Sequence, residues 1–248
     1  NRASMVPAFD NTRTFAQLAR NQQAAFFAHS FLIVASATKS PTRTLESDAV
    51  FYSSGRNREY STVTRVSLTT GNEAATKELV CNGVTKPSEF RWHPTRSAWR
   101  SQATVHFDLT SQLRERSTPA KEAFGILGSW WSAIQEQATA NNGQLPGTYL
   151  DAIWQNCHIV DGVCEFFDLE WEYTGELSPK LLFVRAGYRY FLHALGDKEV
   201  ARKLRTYSIK KCIEQAASAH SITLNETDYG SFVETEARLA NTVFVQEV

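Results

Sequence analysis

The stretch Tyr149–Trp171, YLDAIWQNCHIVDGVCEFFDLEW, decides how this chain is read. Asp161-Gly162 sits at its centre between two short apolar runs, Cys157–Val160 and Val163–Phe167. Such a dipeptide suits a two-residue hairpin, because both central positions take positive φ. Asp161 is therefore read as a turn residue only. A turn centred there puts Asn156 opposite Phe167 and Asp168 one step beyond. Opposed residues lie about 5 Å apart between Cβ atoms, so Asn156 and Asp168 are expected to meet at the open end of the hairpin and grip one ion. Asp151 precedes Asn156 in a loop returning to the same place, where a carboxylate can accept a hydroxyl proton. Oxygen donors without His or Cys partners favour magnesium over zinc.

Outward from this stretch the pattern is helical on both sides. Upstream, Thr118-Pro119 reads as an N-cap pair, and Phe124, Leu127, Trp131, Ile134 and Ala138 recur at helical spacing until Asn141-Asn142-Gly143. Downstream, Ser178-Pro179 opens a helix that stops at Gly196. Asp197 opens a long one through about His220, and Phe232, Leu239 and Val243 mark a last one beginning near Asn225.

The first half reads as strands: Ala49–Ser53, Ser61–Thr70, Glu73–Val80 and Thr104–Leu109. Gly71-Asn72 is the turn between the second and third. The Trp-rich passage Cys81–Gln102 reads as irregular. Phe15–Thr38 reads as a helix running into a buried apolar segment, followed by a polar linker, KSPTRTLESD. The expected fold class is α+β. Its parts are a helical extension and linker over 1–44, a β-rich part over 45–109 and a helical part over 110–248.

Composition narrows the function classes. The 248 residues carry 26 basic and 26 acidic side chains, scattered rather than clustered, which argues against a nucleic-acid partner. The longest apolar stretch, Ala24–Ala37, is interrupted by His29 and Ser30 and falls short of the roughly 20 residues a membrane span needs. The first residues show no secretory signal pattern. Cys81, Cys157, Cys164 and Cys212 lack zinc-ligand spacing and read as reduced thiols of a cytoplasmic protein.

The D-x-x-x-x-N spacing of DAIWQN, followed after a short hairpin by Asp168, resembles protein kinases and the related aminoglycoside phosphotransferases. More narrowly, LDAIWQNCHIVDGVCEFFDLEW with LLFVRAGYRYF looks like the kinase-like domains attached to methyltransferases and glycosyltransferases of bacterial surface-glycan synthesis. That resemblance implies a two-lobed fold and magnesium-dependent transfer of the ATP γ-phosphoryl group to a hydroxyl, with a glycan or small-molecule acceptor. Asp151 would be the catalytic base, and Asn156 and Asp168 the metal ligands. Lys77 would contact the phosphates, and SSGRNREY with Gly55, Arg56 and Arg58 would be the phosphate loop.

The chain departs from the family in three places. The phosphate loop has the single glycine Gly55, Leu150 precedes Asp151, and DLE stands where DFG is usual. No helix after Lys77 offers a glutamate to orient it, and Glu89 is the one candidate in that region. A non-catalytic kinase-like module that binds nucleotide or regulates a neighbouring glycan-modifying transferase is the alternative. A carbohydrate-binding module is suggested only by the six tryptophans. Glu170 and Glu172 either extend the acidic site or line the polar face of a strand.

Overall fold

The computed structural model describes residues 49–244 apart from 54, 69–72, 82–87 and 101. The chain divides into two compact units, Asn1–Leu45 and Glu46–Val248, and the described residues all belong to the second. The expected extension over 1–44 and the Gly71-Asn72 turn lie outside the described residues.

Strands β1 (Ala49–Tyr52), β2 (Thr62–Ser67), β3 (Ala74–Leu79) and β5 (Thr95–Ala98) form an antiparallel sheet in the order β1-β2-β3-β5. Its register aligns Phe51, Thr64, Lys77 and Thr95 in one cross-strand row, which puts Lys77 among short and apolar neighbours. The passage Cys81–Gln102 is not irregular: it supplies β5 and also β4 (Phe90–Trp92), which pairs with β8 (Trp171–Tyr173). Both strands are too short to show alternation, and the partner of β4 is remote in sequence.

Thr104–Leu109 is helical rather than extended. Helix α1 (Val105–Arg114) starts there because the Thr104 hydroxyl caps the Phe107 amide, and Val105, Leu109 and Leu113 bury one face at helical spacing. The long upstream helix is interrupted: α2 (Ala120–Ala123) passes through a 3-10 turn, Phe124–Ile126, into α3 (Leu127–Ala140). Pro119, not Thr118, holds the cap position. Helix α4 (Pro179–Ala194) begins at Ser178, whose hydroxyl accepts from the Leu181 amide.

The helix expected from Asp197 to His220 is two, α5 (Lys198–Leu204) and α6 (Ile209–Ala219). They are parted at Arg205, which takes a left-handed conformation with φ 55°, and Ser208 caps the second. Helix α7 (Glu226–Val243) opens on an Asn225–Asp228 capping box. No described helix is long and apolar enough to cross a membrane.

Strands β6 (Cys157–Val160) and β7 (Val163–Phe166) form the hairpin around Asp161-Gly162, both at positive φ, with Cys157 opposite Phe166 as the turn requires. The four cysteines are not all reduced thiols, as expected from their spacing, because Cys157 and Cys164 form a disulfide across this hairpin. Such pairs on one short hairpin are hard to infer from spacing alone. Behind the hairpin lies an aromatic core of Trp130, Trp154, Phe183, Tyr190 and Phe191, all essentially inaccessible to water. Burying each ring contributes about 2 to 3 kcal/mol. That core holds the loop joining α3 to β6, since the Trp130 indole N–H donates to the Ala152 carbonyl at 2.7 Å.

Candidate functional site

Asp151 ends a 3-10 turn, Gly147–Asp151, pressed against β8. The approach is so close that a Cβ on Gly147 would overlap the Tyr173 carbonyl. One turn of loop later, the Asn156 side-chain amide donates to the Asp151 carbonyl at 3.0 Å, and its own backbone carbonyl accepts from the Phe167 amide at 3.0 Å. Pairing thus continues one step beyond β6 and β7, and Asp168 follows at once. Asp168 is left-handed, with φ 55°, a conformation in which Asp and Asn are enriched among non-glycine residues.

The Lys77 ammonium donates to Asp168 Oδ2 at 2.6 Å and lies 3.5 Å from Glu170 Oε1. Glu170 also accepts both terminal nitrogens of Arg56, at 2.6 and 3.0 Å, and the Trp92 indole N–H at 3.1 Å. On the other side, Arg185 of α4 donates to Asp151 Oδ1 at 3.1 Å. Arg185 Nε also lies 3.1 Å from Glu236 of α7, which in turn accepts from Arg189 at 2.8 Å.

Most of these groups, though not Trp92 or Glu236, line one cavity of about 220 Å³. Its walls include Arg56, Lys77, Asp151, Asn156, Asp168 and Glu170. Arg185, Arg189, Leu239, Val243 and Phe244 line it as well. Gly55 and Arg58 are exposed and are not among its lining residues. Glu172 turns instead to His93, at 2.9 Å, and Glu89 pairs with Arg238. Beside the cavity, and sharing Lys77 and Asp168 with it, is an apolar recess of about 250 Å³ against the sheet, lined by Phe51, Val66, Ala75, Trp99 and Phe167.

The carboxylates differ in their proton affinity. Burial pushes Asp151 up to about 6, outweighing the opposing Arg185 charge. Burial also raises Asp168, though a third of its side chain is exposed and the Lys77 ion pair opposes the shift. For Glu170, burial is outweighed by the hydrogen bonds and charges of Arg56 and Lys77, which hold it below the ordinary carboxylate range.

Asn156 Oδ1, Asp168 Oδ1 and Asp151 Oδ2 have no hydrogen-bond partner among the described residues. Among those residues no cluster of three His, Cys, Asp or Glu is arranged to hold a metal. One carboxylate and one amide oxygen fit magnesium, which binds through one or two protein ligands and completes its shell with water and phosphate oxygens. Sequence reasoning missed Arg185, Arg189 and Glu236. The signal for the arginines was their i, i+4 spacing inside the apolar run LLFVRAGYRYF.

No family model, curated protein or solved structure matches this chain.

Proposed function

We propose that this chain is a kinase-like phosphotransferase that moves the γ-phosphoryl group of ATP to a hydroxyl, its sheet and its helices serving as the two lobes. The observation that carries this is the 2.6 Å contact of Lys77 with Asp168 in a cavity that also receives Asp151 and Asn156. A strand lysine, a hairpin aspartate and a loop D-x-x-x-x-N, remote in sequence, converge on one point. The adjoining apolar recess suits a planar base next to the lysine that would meet its phosphates.

Each residue has a task in this reading. Asp151, oriented through Oδ1 by Arg185, presents Oδ2 to the acceptor hydroxyl and takes its proton as that oxygen bonds to the γ-phosphorus and the bond to the bridging oxygen breaks, ADP leaving with the electron pair. Lys77 neutralises phosphate charge. Asn156 Oδ1 and Asp168 Oδ1 would hold magnesium, which when bound neutralises charge on the transferring group. Burial keeps water away from the base and strengthens these electrostatic contacts. A surface-glycan intermediate is the acceptor class that the resemblance of residues 150–191 suggests.

A second reading, a nucleotide-binding module without turnover, is favoured by Gly55 and Arg58 of the expected phosphate loop standing outside the cavity lining. One pair of measurements separates the two. Thermal unfolding with ATP and magnesium should rise, by about 2.7 kcal/mol of stabilisation at a hundredfold excess over Kd. ADP release with alcohol acceptors then reports turnover. A shift without turnover supports the module, and no shift overturns both.

A further inference from the structure

We infer that Glu170 is the positioning residue that sets Lys77 and Arg56 for a nucleotide's phosphates, a role that rests on the phosphotransferase reading. Glu170 is 5% exposed and meets three N–H-bearing side chains: Arg56, from the loop after β1; Lys77, on β3; and Trp92, on β4. A buried carboxylate is retained only where its charge is compensated, and here both compensating cations line the cavity. Glu89, the glutamate expected after Lys77, is spent on Arg238 at the surface.

The geometry also gives Lys77 two places to rest. It is bonded to Asp168 at 2.6 Å, with Glu170 at 3.5 Å. Magnesium held by Asp168 would add positive charge there and weaken the Lys77–Asp168 bond. Glu170 is then the remaining carboxylate within reach, so Lys77 stays at the phosphate side of the cavity instead of leaving it. Trp92 holds Glu170 Oε2 in place from behind. Glu170 touches no reacting atom in this scheme and acts through the two cations.

The test compares ATP–magnesium, ADP–magnesium and adenosine as probes of wild type, Glu170→Gln, Lys77→Met and the double variant. The expected result is loss of ATP and ADP affinity by about tenfold or more in Glu170→Gln, the loss expected of one misdirected charged contact. Adenosine affinity should stay within about twofold. The double variant should be no weaker than the weaker single one, because both act through one contact chain. Glu170→Asp should recover part of the loss.

A Glu170→Gln variant that loses adenosine as much as ATP marks a merely structural residue and overturns the inference. So does unchanged ATP affinity, or additive losses in the double variant. If Glu170→Gln does not fold, Trp92→Phe removes one of the two donors to Glu170 Oε2, leaving Arg56 on it, without changing charge. It should weaken ATP several-fold and leave adenosine alone, and an unchanged ATP affinity there also overturns the role. Wild type that binds none of the probes removes the phosphotransferase reading together with this one. Wild type that binds and turns over beside an indifferent Glu170→Gln removes this one alone.

Discussion

At the scale of single residues, Asp151 and Asp168 are chemically distinct carboxylates. In the proposed reaction Asp151 has to be ionised to accept a proton, so turnover should fall as pH drops through about 6, the value to which burial pushes it. Asp151→Asn should abolish that acid limb and lower turnover by about 10² to 10⁴, while ATP–magnesium affinity stays within a few fold. A pH–rate profile and a binding isotherm check both halves.

The same shift predicts stability. A carboxyl whose folded value is raised favours the fold most below its unfolded value of about 4 and loses that contribution as pH rises toward 6. Urea midpoints across that window should decline less in Asp151→Asn than in wild type. Asp168→Asn, in contrast, should remove magnesium-dependent nucleotide binding itself, read by calorimetry. That Asn156 and Asp168 stand at the open end of one hairpin was legible because the turn dictates which residues lie opposite. Arg185 and Glu236 were not, since nothing local in either helix announces a partner on another element.

At the scale of elements, the Asp151-bearing turn depends on how closely it meets β8. Gly147→Ala forces a methyl into the Tyr173 carbonyl, so the turn must retreat. Displaced from β8, the loop would carry Asp151 away from the acceptor of the proposed reaction, where a misplacement near 1 Å lowers turnover by about a hundredfold. Turnover and the urea midpoint should therefore fall together in this variant. At the start of α1, Thr104→Ala should cost about 1 kcal/mol, typical of a lost N-cap, measurable by denaturant titration.

Thr104 also explains why that segment was misread. Thr-Val at its start has β propensity, and only the hydroxyl bond to Phe107 with the burial of Val105, Leu109 and Leu113 reveals the helix. Propensity lost to packing there. The Asp161-Gly162 hairpin and the Ser178 cap were legible because their chemistry is local. β4 and β8 were not, because each is stabilised by the other across a long interval of chain.

At the scale of the whole second unit, α7 ends on the loop that follows β1. The Asn57 amide donates to the Val243 carbonyl at 2.7 Å, its side chain donates to the Thr242 carbonyl at 2.9 Å, and Arg56 bridges Phe244. Ending the chain after Leu239 removes these acceptors. The Asn57 amide should then lose its hydrogen-exchange protection, and nucleotide affinity should fall with the wall that Val243 and Phe244 supply.

These contacts also bear on when the cavity exists during synthesis. A chain growing from its N-terminus has Lys77, Asp151 and Asp168 in hand long before Glu236 and Val243 are made, and contacts between such distant residues form late. A nascent chain halted near residue 225 would carry the residues proposed for catalysis but not the strut behind Arg185 or the clasp on Asn57. The cavity therefore gains its last wall only once α7 has emerged and docked against the loop that follows β1.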